Sequence, residues 1–403
     1  MPISDATALD AAFKRNYNAG SEVMKQQQNL KAKLFDMFPI SPLKPSAQGI
    51  FNPVVVQGNE TGGAINEQEG FADTEPVVPI QPSITSKLIV WPWQITGTVM
   101  DLSETDKVAF ARGLDLTMED NIGRAMSDRN RMSVGTGTGQ ITLANGAGAA
   151  STSLIVDDPF PFRQGMFIDA WTALAGTKQI IGIEVTGINL STSTLTLASA
   201  QTWSDNAIIC KREKLDGVTS ATNAKEMMGF RGIADTNEFS TTFQGQSATT
   251  YTIWRGNVVG AGTAPVSQDL LQRAYNRTGI VGGEKPDTLI SNYGQARTYL
   301  NTQLTQTRYE PGKVTGGNVE LKWGTMTWMV DFTYPLNEVG FLVKNGIEVF
   351  QVREMALSQL NGNRYYQIVG RDAIGGYYRW RGNMGTWKRN NQTRLTELTE
   401  PTF

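Results

Sequence analysis

Residues 103–132 read SETDKVAFARGLDLTMEDNIGRAMSDRNRM, and this stretch decides the architecture. Phe110, Leu114, Met118, Ile122 and Met126 recur at every fourth position, the spacing of one helical face. Ser103 has the short hydroxyl side chain that caps helix N-termini, and Glu104 and Asp106 set negative charge against the positive end of the helix dipole. At 1.5 Å per residue a helix of about thirty residues spans roughly 45 Å, far beyond the usual three turns. It is expected to be the spine of its domain.

Working upstream, Ile84 to Met100 is rich in Ile, Val, Trp and Thr and reads as extended chain, with Pro92 restricting it to an edge strand or bulge. Residues 39–82 are rich in proline and glycine and lack a core of their own. Residues 60–101 are therefore expected to form a long two-stranded loop projecting from a body. Prolines 76, 79, 82 and 92 argue against placing it in its own subunit's sheet. Its apolar load includes Val78, Ile84, Leu88, Trp91 and Trp93, which are expected to meet a neighbouring molecule. At the N-terminus Leu9, Phe13 and Tyr17, then Leu30, Leu34 and Phe38, form an amphipathic helical stripe, and Phe13 and Leu34 join the expected contacts.

Downstream, Gly135-Thr-Gly-Thr-Gly139 ends the spine, and short strands separated by turn residues follow. Residues 137–214 read as an inserted all-β domain, a small barrel or sandwich. Beyond it Ser267 caps a helix through Ile280, Pro286 to Ser291 is a strand, and Asn292 caps a helix through Gln303. A hairpin turns at Gly324, and after Gly340 the chain is mostly strand.

Composition excludes several functions. The 403 residues exceed what one core usually organises. The formal charge is −2, so no basic excess exists to grip phosphates. There is no histidine, which removes imidazole bases, histidine triads and the usual metal ligands. Cys210 is the only cysteine, so neither an intrachain disulfide nor a multi-thiolate zinc site can form. The first residues carry neither the basic nor the apolar region of a signal peptide, and no apolar run is long enough to span a membrane. The glycine run at 135–139 follows a helix and lacks Gly-Lys-Ser/Thr, so it reads as a helix stop and not as a phosphate cradle. The acidic pairs Glu67/Glu69, Glu119/Asp120 and Asp157/Asp158 have no ligand-loop spacing. Arg379, Arg381, Lys388 and Arg389 alternate with aromatics and read as a solvated or interface face. No catalytic, cofactor-binding or metal residue is assigned. The rival reading is a carbohydrate-binding protein or carboxylate-dependent glycan hydrolase, motivated by the β block, tryptophans and scattered acids.

The order of these parts resembles the major capsid protein family of tailed bacteriophages, whose α+β architecture is the Johnson or Hong Kong phage fold. The stretches that carry the resemblance are Ile95-Thr-Gly-Thr-Val-Met-Asp-Leu-Ser103, Met228-Gly-Phe-Arg-Gly-Ile233, Ser267-Gln-Asp-Leu-Leu-Gln-Arg-Ala-Tyr275 and Pro286-Asp-Thr-Leu-Ile-Ser-Asn292. The resemblance implies an N-terminal arm at 1–59, an extended loop at 60–101 and the spine helix of a peripheral domain at 102–136. It further implies an axial domain at 215–345 and C-terminal peripheral strands at 346–403, with 137–214 as an insertion. By the same resemblance the chain self-assembles into hexamers and pentamers of an icosahedral shell enclosing double-stranded DNA, without sequence-specific binding. A separate scaffolding protein, a portal protein and a decoration or cement protein are the implied partners, and assembly in the bacterial cytoplasm into the virion is the implied location. Another virion component, from tail or decoration, is the structural alternative. Lys87 reads as an edge-strand lysine that discourages sheet-to-sheet pairing and not as a crosslinking residue.

Overall fold

A computed structural model describes residues 34–68, 70, 73–98, 107–174, 176–212, 225–304, 321–359 and 363–399. The spine helix occupies Lys107–Val134. Its expected cap, Ser103, and the N-terminal contact Phe13 lie outside the described residues. Met118 and Ile122 pack against the core, but Met126 is exposed and the neighbouring Ala125 is buried in its place. The reason is geometric: four residues advance about 40° past a full turn, so a strict every-fourth row winds off the buried face. From Ser127 to Val134 nearly every side chain is buried, because the end of the helix enters the interior.

The strand Lys87–Thr96 corrects the expected projecting loop. It pairs antiparallel along its whole length with Ala373–Gly385, which pairs on its other side with Glu348–Leu357 and Tyr366–Gln367. Proline does not prevent this, because an edge strand carries only one ladder and Pro92 retains its carbonyl, which accepts the Asn121 side-chain amide of the spine at 3.1 Å. Alternation then decides burial. Ile89, Trp91, Trp93 and Ile95 face the spine helix and are buried with Tyr378 and Trp380, while Leu88, Val90 and Pro92 lie on the opposite face. The part of this region outside the large sheet is shorter than expected. Val54–Gln57 pairs with Val78–Ile80, and residues 58–77 connect them without regular structure among the described residues.

Six strands, Gln140–Leu143, Gly148–Ile155, Phe167–Trp171, Lys178–Asn189, Thr194–Trp203 and Ile208–Lys211, pair only with one another. Their inward residues, among them Leu154, Ile168, Val185, Leu195 and Ile209, form a separate core with Phe162 of the connecting chain.

A third sheet runs in the order Asn257–Gly260, Thr393–Thr396, Val339–Leu342, Thr288–Ser291, Met326–Val330, Lys322–Trp323. Two helices accompany it, Gln268–Gly282 and Tyr293–Leu304. Ser267 caps the first, its hydroxyl accepting the Leu270 N–H, and Gly283 at φ 72° ends it. Asn292 starts the second by accepting the Gly294 N–H. The last strand, Thr393–Thr396, was expected beside the spine with the rest of 346–403; it pairs instead with 257–260 and 339–342. Buried arginines explain its destination. Arg389 donates to the carbonyls of Gly232, Ile233 and Trp254, and Arg394 donates to Ala234 O and to the carboxylates of Glu238 and Glu338. Together they satisfy the orphan carbonyls at the end of the short helix Phe230–Ile233.

Candidate assembly surfaces

The sequence-predicted contact residues divide into three groups. Trp91, Trp93, Ile84 and Leu34 are buried in their own subunit, which corrects their assignment to a neighbour. An apolar strand whose side chains alternate satisfies its buried face on the nearest helix before any second molecule is needed. Val78 is half-buried at the base of the 54–80 ribbon. Leu88 alone among the described members is widely exposed, at 58%.

Other outward apolar side chains were passed over by the sequence reading. In the ribbon Val54 and Val56 pack on the core while Val55 is 60% exposed, and Val55 lies opposite the exposed Pro79. Phe51 and Val77 are exposed on the adjoining chain. The signal was available: three consecutive valines in a two-stranded ribbon cannot all face one side. The ribbon thus has an apolar face turned inward and a second one turned to solvent.

The buried end of the spine gathers polar contacts from several parts of the chain. Asn130 Oδ1 accepts the backbone N–H groups of Leu34 (2.9 Å) and Phe35 (3.3 Å), while its Nδ2 donates to Asp331 Oδ2 at 3.0 Å. Asp128 accepts from Trp91 Nε1 at 3.2 Å and pairs with Lys211 from the inserted strands. Burial pushes the Asp128 carboxyl up, but Lys211 and Arg131 outweigh it and hold it well below the usual carboxylate range. Arg131 makes a two-pronged pair with Glu226 at 3.1 and 2.6 Å. The segment Met228 to Ile233 closes on the same point: Gly229 and Gly232 leave no space for a methyl group against the carbonyls of Gly135 and Thr136.

Two clefts bear on the hydrolase reading. One of about 140 Å³ lies among Ser83, Lys87, Glu226, Gln244 and Asn383, and its only carboxylate is already held by Arg131. Burial lowers the Lys87 amine below its ordinary value. The other, about 120 Å³, has Glu284 and Glu348 in its wall, with Glu284 engaged by Lys388 Nζ at 2.6 Å and Asn391 Nδ2 at 2.8 Å. Both are far below the roughly 300–1,000 Å³ of small-ligand sites. Among the described residues no group of three or more Asp, Glu or Cys side chains is placed to hold a metal ion, and no helix is long and apolar enough to cross a membrane.

No protein-family model matches the sequence, and no curated protein matches it either. Comparison with solved structures is informative. The chain is similar to the subunit in the capsid asymmetric unit of cyanophage A-1(L), with a TM-score of 0.60 at 10% identity over 96% of this chain and 98% of that one. It also matches the capsid of an empty GTA particle at a TM-score of 0.49 and 9% identity over 97% and 98% of the two chains. Gordonia phage Cozz gives 0.48 and 11% over 96% and 91%. The first of these likenesses, taken with the spine helix, ribbon and sheets, defines the fold as the α+β capsid fold of tailed phages.

Proposed function

We propose that this chain is the major capsid protein of a tailed phage, a structural and not a catalytic protein, which self-assembles into hexamers and pentamers of an icosahedral head around double-stranded DNA. The observation that carries the reading is the end-to-end likeness to a phage capsid subunit, which spans 96% of the chain. The outward apolar face of the ribbon supports it. Phe51, Val55, Val77 and Leu88 would be covered by a neighbour repeated around a closed ring, where each weak contact gains by multiplicity. A net charge of −2 suits a container whose DNA slides and does not adhere. A separate scaffolding protein, a portal and a decoration protein complete the proposal, with assembly in the host cytoplasm. In it the 140–211 strands act as a module on the subunit surface.

The test is electron microscopy of the chain co-expressed with its neighbouring phage genes, together with mass spectrometry of purified virions. Closed shells containing this chain as the most abundant protein are expected. A chain that stays monomeric with its scaffold and is missing from virions refutes the reading.

A further inference from the structure

We infer that the cleft between the turn Lys344–Gly346 and the chain at 385–391 is a binding site for a guanidinium group, the head group of an arginine side chain. It holds about 120 Å³. An apolar cavity of about 150 Å³ takes a six-atom ring, so this one suits roughly five non-hydrogen atoms, the size of a side-chain head group and not of a sugar. Its wall selects the charge. Glu348 is half-buried there, and its carboxylate has neither an ion pair nor a hydrogen bond among the described residues. Glu284, the other acid, is already held by Lys388 Nζ at 2.6 Å and Asn391 Nδ2 at 2.8 Å. Two carboxylates against one ammonium leave the wall with an unbalanced negative charge. Asn391 is wholly buried in the same wall, and its Oδ1 is a further acceptor without a hydrogen-bond partner among the described residues.

Trp387 selects the shape. Glu348 and Phe350 alternate onto one face of the strand Glu348–Leu357, and the Phe350 and Trp387 rings meet at 5.6 Å in a T-shaped contact. The contact holds the indole in the cleft wall with the Glu348 carboxylate, and Trp387 remains half-exposed. Among the described residues no cation lies over this ring, whereas Phe35, Trp171, Phe239 and Phe243 each have one. Lys388, the cation already present, is committed to Glu284. A guanidinium is flat, so it can stack on an indole face while its N–H fork meets a carboxylate through two parallel hydrogen bonds. An ammonium is a point charge without that fork.

The probe is methylguanidinium, titrated into the unassembled subunit well below denaturing concentration and followed by saturation-transfer NMR of its methyl group. Saturable binding is expected, with methylurea, an uncharged molecule of similar shape, giving none and methylammonium binding more weakly. Glu348→Gln keeps the size of the side chain and removes its charge. Because that carboxylate has no partner among the described residues, the variant should melt like wild type and bind methylguanidinium at least about tenfold more weakly. Trp387→Leu should weaken binding as well. These titrations need no particles, so their outcome is independent of the assembly reading. Repeating them on assembled particles separates the two sources of the group. Binding that persists assigns the site to a free guanidinium compound, and binding that disappears on assembly assigns it to an arginine of a neighbouring copy. The inference is overturned by no saturable binding to the unassembled subunit, by equal binding of methylurea or methylammonium, or by a folded Glu348→Gln subunit that binds like wild type.

Discussion

Replacing Trp91 by alanine distinguishes a strand that belongs to its own subunit from one that clasps a neighbour. The indole is buried against the spine helix with Ala125, Met118 and Ile122 in the same core, and its Nε1 donates to the buried Asp128 carboxylate at 3.2 Å. Large-to-small substitution of a buried tryptophan costs about 3–5 kcal/mol, and removing one donor from a buried carboxylate adds roughly 1–2 kcal/mol. The unassembled subunit should therefore melt roughly 5–10 °C lower. Leu88→Ala is the matched control, since Leu88 is 58% exposed on the opposite face of the same strand. Its monomer should melt within about 1 °C of wild type, because exposed substitutions usually change stability by less than about 0.5 kcal/mol, while its particle yield falls. The assay is differential scanning fluorimetry of unassembled protein beside particle yield from sedimentation. A Trp91→Ala subunit that melts like wild type yet forms no particles would show that the strand packs on a neighbour, and the fold description would be wrong at this point.

Other consequences can be checked in the same way. Asn130→Ala leaves the buried N–H of Leu34 without its acceptor and should cost about 1–3 kcal/mol, with amide exchange at Leu34 and Phe35 rising first. Gly232→Ala places a methyl group 2.5 Å from Thr136 O and should destabilise the subunit by about 1–3 kcal/mol, read by urea titration. Glu338 predicts the acid limb of stability. Burial raises its carboxyl, but Arg231 and Arg394 dominate and bring it from 4.5 to about 2. A depressed carboxylate contributes stability that is complete above the unfolded value and lost as pH falls from about 4.5 toward 2, so Glu338→Gln should flatten the melting temperature across that window.

Local signals told most where chemistry is local. Ser267 and Asn292 cap the helices they were expected to cap, and the turn at Gly324 joins the expected strands, because an N-cap hydroxyl or a left-handed glycine acts within three residues of itself. The destination of a strand is a different matter. Lys87–Thr96 carries four outward and inward signals that fit equally a clasp on a neighbour and an edge strand at home; only the partner strand 373–385, nearly three hundred residues away, decides. Thr393–Thr396 joins the third sheet for the same reason: Arg389 reads as a surface or interface charge until the carbonyls of 232–233 surround it, and Arg394 on the strand itself is held by Ala234 O and the carboxylates of Glu238 and Glu338. The outward face of the ribbon could have been found. Alternation alone requires one of Val54, Val55 and Val56 to face away from the other two.

The distribution of polar contacts bears on how the subunit keeps its shape. The inserted strands have a core separate from the rest, and among the described residues Lys211 to Asp128 and, from the connecting chain, Arg163 to Ser127 link this part to the spine. Asn130, two residues on, ties the chain entering at Leu34 to Asp331 beside the third sheet, and Arg131 ties Glu226. Four separate parts of the fold therefore take their orientation from five consecutive residues, 127–131, at the buried end of one helix. Apolar contacts fix area but not direction, whereas hydrogen bonds and paired charges lose most of their value when misaligned. Buried pairs of this kind add little net stability over apolar substitutes, so their contribution here is to angle and register. It follows that Asp128→Asn, which removes the charge facing Lys211 and Arg131, should lower subunit stability and also alter the geometry or uniformity of the assembled particles, because a small rotation between bodies in each subunit is repeated at every contact around a ring.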